Sequence, residues 1–198
     1  MDLEIRDFDT NDIGLAADYA ITGMQLDKYA SGLVLKVYGR YFVSLELQRA
    51  TQAIAAYEGE KLVGLLIAAM DGEPARWKSP LRGLFVGLVA PFAKIGEGGY
   101  TNACRQMLDA YQQGVHTDGE LCFFVADPEC VGKGIGSLLL AEFARREAGK
   151  QIYLFTDSNC TWQFYEKRNF DRVGQRTANV GVGKGAEDFE CYLYAKTL

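Results

Sequence analysis

Three glycines, Gly132, Gly134 and Gly136, alternate with Lys133 and Ile135 inside FFVADPECVGKGIGSLLLAEF, residues 123–143. An apolar stretch precedes them and an amphipathic one follows, so the local order reads strand, loop, helix. The first turn of a helix leaves N–H groups without partners, and its dipole favours negative charge. Glycines at the entry let a ligand approach the main chain without meeting Cβ atoms. The chemistry this points to is anion binding, with a phosphate or diphosphate as the natural ligand.

Two common phosphate loops do not match. A dinucleotide fingerprint needs G-x-G-x-x-G, and here the sixth position is Ser137. A Walker loop needs an upstream glycine and a Lys-Ser/Thr pair, neither of which is present. The second glycine-rich stretch, GVGKGAED at 181–188, also fails both tests and reads as a hairpin turn. Three further side chains could do chemistry. His116 is the lone histidine. Cys160 stands near the start of a short helical stretch, a setting that can lower a thiol pKa. Tyr165 lies within that stretch, with Phe164 and Phe170 as apolar anchors.

Composition narrows the partners. The net charge of −5 argues against nucleic acid, whose binding rests on clustered Lys and Arg. Five cysteines, Cys104, Cys122, Cys130, Cys160 and Cys191, are odd in number and lack C-x-x-C spacing. Neither a zinc site nor a disulfide framework is expected, and a reducing cytoplasm fits. The N-terminus MDLEIRDFD is acidic and alternating, unlike a signal peptide. The apolar run LFVGLVAPFAKIG from Leu84 is too short and broken to span a bilayer, and reads as core. No membrane partner is expected.

The elements that would position these residues are legible in outline. Residues 3–9 alternate as a strand, and Asn11 or Asp12 can cap a helix running to about Leu26. YFVSLELQRA continues a helical layer. Strands at 52–58 and 61–71 form a hairpin around Glu58-Gly59-Glu60. Residues 74–117 carry Pro74, Pro80 and Pro91, then a helical pattern from Thr101 or Asn102 to Gly114. A strand at 120–127, a helix from 134, a strand at 151–159, the short helix at 161–170 and two closing strands complete the chain. Thr161 or Asn159 would cap the short helix. No linker divides residues 1–198, so one domain is expected, with 74–117 as an insertion.

Two segments resemble the GNAT N-acetyltransferase superfamily. VADPECVGKGIGSLLL is similar to its acetyl-CoA pyrophosphate loop, Q/R-x-x-G-x-G/A, with Gly134 and Gly136 at the glycine positions and Val131 where Gln or Arg is usual. NCTWQFYEKRNF resembles the later Asn, aromatic-Tyr-Glu-Lys, Gly-Phe motif, with Asn169 in place of Gly. The match is strong over 120–171, looser over 1–73 and absent over 74–117.

The resemblance implies an α/β fold: a GNAT-like mixed, mostly antiparallel central sheet with a parallel splayed strand pair, flanked by helices. It implies acetyl-CoA as acyl donor, no metal, and a small-molecule or protein amine as acceptor. Pantetheine would pair with the main chain at Phe124 and Val125, and Asn159 would contact its arm. The diphosphate would take N–H groups from Val131, Gly132, Lys133, Gly134, Ile135, Gly136 and Ser137. Loss of a polar side chain at Val131 is tolerable where contacts come from main chain. Tyr165 would protonate the leaving thiol, and Val125 N–H would hold the oxyanion. Glu120, His116 or water would serve as base, and Cys160 offers a ping-pong route. The insertion, through Trp77, Leu84, Phe85 and Phe92, could wall an acceptor pocket, bury a homodimer contact or fill core. The rival readings are a noncatalytic acyl-CoA-binding or sensing module and an interaction domain.

Overall fold

The computed structural model describes residues 3–25, 31–93, 98–130, 132–180 and 187–198. Its elements run β1 (Leu3–Asp7), a 3-10 turn (Thr10–Asp12), α1 (Ile13–Gly23), α2 (Gly32–Arg49), β2 (Gln52–Glu58) and β3 (Lys61–Met70). There follow α3 (Pro80–Ala93), α4 (Gly98–Gln112), β4 (Gly119–Ala126), a 3-10 turn (Pro128–Cys130) and α5 (Ile135–Arg146). The chain closes with β5 (Gln151–Asp157), α6 (Gln163–Glu166), β6 (Asp171–Val180) and β7 (Glu187–Thr197). Strand order in the seven-stranded sheet is β1-β2-β3-β4-β5-β7-β6. The sheet is mostly antiparallel, and the parallel pair is β4–β5, where Gly119 faces Ile152 and Glu120 faces Tyr153. This is the mixed architecture expected from the sequence. The chain forms two compact units, one of residues 1–89 and 121–148, the other of 90–120 and 149–198.

In the first unit the β2–β3 hairpin is buried on both faces, which explains its nearly unbroken apolar sequence. Ala16, Ala17 and Ala20 of α1 and Val43 and Leu47 of α2 pack with Ala53, Ala55, Tyr57, Leu65 and Ile67. The small alanines let the helices lie close to the strands. Gly64 answers the same need for α5: a Cβ there would stand 2.7 Å from Ile135 Cγ2 and 2.9 Å from Leu139 Cδ1. The buried face of α5 is Ile135, Leu139, Leu140 and Phe143. Leu138 points outward.

In the second unit α4 packs on β6 and β7 through Ala103, Cys104 and Met107 against Ala178, Cys191 and Leu193. The helix begins at Gly98, so Thr101 and Asn102 lie within it rather than capping it. Asp118 accepts the Gln151 N–H at 2.7 Å, and Gln151 Nε2 donates to Tyr111 Oη at 2.9 Å.

Other expected caps are not the ones used. Asp9, not Asn11 or Asp12, caps the first turn by accepting the Asn11 N–H at 2.9 Å. Asp12 accepts the Tyr57 hydroxyl at 2.9 Å. The run from Leu84 is helical, as α3, but it is not core: Leu84, Leu88 and Phe92 face outward. The 181–188 turn lies mostly outside the described residues. Among the described residues no helix is long and apolar enough to cross a membrane.

Gly64→Ala should overpack the contact of β3 with α5 and lower unfolding stability by about 1–3 kcal/mol. Denaturant titration checks this, and an unchanged midpoint would show that α5 can shift freely.

Candidate active site

The glycine loop is built from the end of β4 onward. Asp127 follows the strand, and its side chain is almost wholly buried. Its main-chain N–H donates to Val63 O at 2.9 Å, and its carbonyl accepts the Cys130 N–H at 2.9 Å. Its Oδ1 accepts the Glu129 N–H at 2.9 Å. Its Oδ2 receives Lys61 Nζ at 2.7 Å and the Tyr19 hydroxyl at 3.1 Å. That hydroxyl is shared with Leu62 O at 2.8 Å. Burial pushes the Asp127 carboxyl up, but Lys61, the Glu129 N–H and Tyr19 outweigh it and hold it below the ordinary carboxylate range. The Tyr19 hydroxyl is pushed up by burial and by the same carboxylate.

Beyond this anchor, Gly132 and Gly134 take φ of +84° and +81°, a left-handed conformation that only glycine adopts cheaply. A Cβ at either would meet nothing within 4 Å, so the loop opens to the outside. The Lys133 N–H donates to Cys130 O at 3.2 Å, and the Ser137 N–H to Gly134 O at 3.0 Å. Among the described residues no acceptor faces the N–H groups of Gly134, Ile135 and Gly136. These three amides stand together at the start of α5. The Lys133 ammonium lies 3.5 Å from Cys130 Sγ. Phe124 is half-buried and Val125 buried on the strand that feeds the loop. Val131 lies outside the described residues.

The second unit holds Glu120, Asn159, Cys160 and Tyr165. Asp157 closes β5, and its Oδ1 accepts the Asn159 N–H at 2.8 Å. Asp157 therefore shapes this turn, and the N-cap position of α6 falls to Trp162, which makes no side-chain cap bond, rather than to Asn159 or Thr161. Burial raises the Asp157 carboxyl. The Cys160 thiol lies 3.8 Å from Asp157 Oδ2. Burial first, and then that carboxylate, push it up to about 12. The expected lowering of this thiol is thus reversed: the carboxylate opposes a thiolate more than four helical residues can favour one.

Tyr165 packs among Phe164, Phe170 and Tyr194, with ring centroids 5.4, 5.6 and 5.9 Å away. Burial raises its phenol further, with Cys160 second, so it is protonated at neutral pH. No acceptor for its hydroxyl is found among the described residues. Asn169 ends the turn at φ +58°, which explains how it replaces glycine there. Glu120 is half-buried at the second position of β4. His116 is almost fully exposed, 3.4 Å from Asp118 Oδ1. Among the described residues no group of three or more His, Cys, Asp or Glu is placed to hold a metal ion.

Sequence reasoning missed Asp127, Tyr19, Lys61 and Asp157. The Asp-Pro pair at 127–128 was a usable turn signal. The partners of Asp127 lie 66 and 108 residues away and carry no local signal.

The Asp127→Asn variant should be less stable than the parent at pH 7. A depressed carboxyl stabilises the fold fully above its unfolded value of about 3.9 and loses that contribution as pH falls through the lower folded value. The gap between parent and variant should therefore close in acid. Melting curves from pH 7 to 2 test this, and a gap independent of pH would reject it.

PH1933 from Pyrococcus horikoshii OT3 is 20% identical to this chain, with all of both chains covered and a TM-score of 0.59. The PaiA N-acetyltransferase from Thermoplasma acidophilum, solved in complex with coenzyme A, is 14% identical, with both chains wholly covered and a TM-score of 0.57. Ard1 from Thermoplasma volcanium is 15% identical over 100% of this chain and 99% of its own, with a TM-score of 0.59. At these identities the likeness is one of fold. No curated protein sequence matches the chain. The sequence model described as Acetyltransferase (GNAT) family matches residues 27–170. That span holds both the glycine loop and the Tyr165 turn, and the chain belongs to the GNAT acetyltransferase family.

Proposed function

We propose that this protein transfers an acetyl group from acetyl-CoA to a primary amine of a small molecule or protein, by direct attack of the amine on the thioester. The observation that carries this is the set of N–H groups at Gly134, Ile135 and Gly136 behind an outward-opening glycine loop. Such a set suits a diphosphate. The coenzyme A bound to the Thermoplasma acidophilum relative supports the choice of ligand.

The reaction poses two proton problems. A lysine-like amine of pKa about 10.4 is mostly protonated at pH 7, and freeing its lone pair costs about 4.6 kcal/mol. Glu120, His116 or a water takes that proton. The carbonyl then becomes tetrahedral, and the N–H of Val125 donates to its oxyanion. As the C–S bond breaks, electrons pass to sulfur. Tyr165 donates its hydrogen bond to the developing thiolate and then its proton. Burial makes it a weaker acid than a free phenol, so its hydrogen bond to the developing thiolate comes before full proton transfer, and the proton is regained from solvent. Phe124 and Val125 pair with the pantetheine through main chain, and Asn159 contacts its arm. Direct transfer fits better than a ping-pong route because the Cys160 thiol is held protonated.

Four outcomes test this reading. Coenzyme A and acetyl-CoA should raise the melting temperature, and Gly134→Val should remove the shift. Acetyl-CoA with an amine panel should release free thiol. A shift without turnover on any amine would favour an acyl-CoA-binding module, and no shift would reject both. Tyr165→Phe should lower kcat by about 10- to 100-fold with the coenzyme A shift retained; an unchanged kcat would assign the proton to water. Cys160→Ala should keep turnover, and native Cys160 should resist alkylation at pH 7. An acetylated Cys160 trapped in single turnover would overturn direct attack.

A further inference from the structure

The least explained feature of the surface is α3. Leu81, Leu84, Leu88 and Phe92 recur at helical spacing and are 80%, 63%, 65% and 75% exposed. An apolar stripe of this kind is uncommon on a soluble chain unless something covers it. The helix is also firmly held at its start. Gln48 donates from Nε2 to Ser79 O at 2.7 Å and accepts the Ser79 N–H at 3.0 Å. Trp77 Nε1 donates to Phe8 O at 3.2 Å, and Arg82 donates to Trp77 O. The stripe is therefore presented by an anchored helix.

We propose that α3 packs against α3 of a second copy of this chain about a two-fold axis. Charge is the first argument. From Leu81 to Ala93 the helix carries a single ionised group, Arg82, and that guanidinium is turned to Trp77 O. A face that meets its own copy must not carry uncompensated charge of one sign, and this one carries no ionised group beyond Arg82. A bilayer surface fits less well, because interfacial helices carry a Lys/Arg-rich polar face and this chain has a net charge of −5. Area is the second argument. The four side chains expose on the order of 500 Å², so a symmetric pair removes about 1,000 Å², the lower end for a specific interface. Gly87 adds close access to the main chain: a Cβ there would meet nothing within 4 Å. Pro91, four residues on, has no N–H for the Gly87 carbonyl.

The test is sedimentation velocity on the full chain across a concentration series. The parent should dimerise at micromolar concentration, and Leu84→Glu with Leu88→Glu should weaken association by at least about 100-fold. Circular dichroism should show the same fold for both. A parent that stays monomeric overturns the proposal, as does a dimer that survives the double substitution. A monomer that instead floats with phosphatidylcholine–phosphatidylglycerol vesicles overturns it in favour of a membrane surface. Should the variant not fold, hydrogen exchange of the parent decides. Protection of α3 amides that rises with protein concentration supports the pairing, and protection independent of concentration rejects it.

Discussion

The buried carboxylate of Asp127 is the constraint on which the glycine loop depends. It ends β4, ties its own N–H to Val63, and orders the following turn through the amides of Glu129 and Cys130. A buried charge persists only when it is paired and hydrogen-bonded. Lys61 and Tyr19 supply that pairing from β3 and α1. Three elements thus converge on the residue that sets where the loop begins. Positive φ at Gly132 and Gly134 then turns the chain into α5.

A different device operates around Tyr165. Rings of Phe164, Phe170 and Tyr194 surround it, and burial keeps its hydroxyl protonated. The same dry surroundings and the neighbouring Asp157 silence Cys160. One environment therefore gives opposite consequences to two candidate groups. It retains the proton on a phenol proposed to donate one, and on a thiol that would have to lose one to act as nucleophile.

The 74–117 segment divides in the same spirit. Its α4 buries Ala103, Cys104 and Met107 against β6 and β7 in the ordinary way of an amphipathic helix. Its α3 turns large apolar side chains outward instead. In sequence α4 reads as an amphipathic helix and the run from Leu84 as apolar, and that apolar reading points to core. Hydropathy reports what a side chain prefers to touch, and only packing reports what it does touch.

From the sequence alone came the hairpin at 52–70, the strand–loop–helix order around Gly132–Gly136, and the family resemblance through residues 120–171. These rest on periodicity, on glycine's backbone freedom and on short motifs, all of which are local. Tertiary structure decided the rest: that Leu138 faces solvent, that Asp12 turns to Tyr57, that Asp127 is pinned by Tyr19 and Lys61, and that burial raises the Cys160 pKa. Each of these depends on packing between groups or elements far apart in the chain. Burial sets both the strength of their interactions and their protonation, and burial is a property of the folded whole.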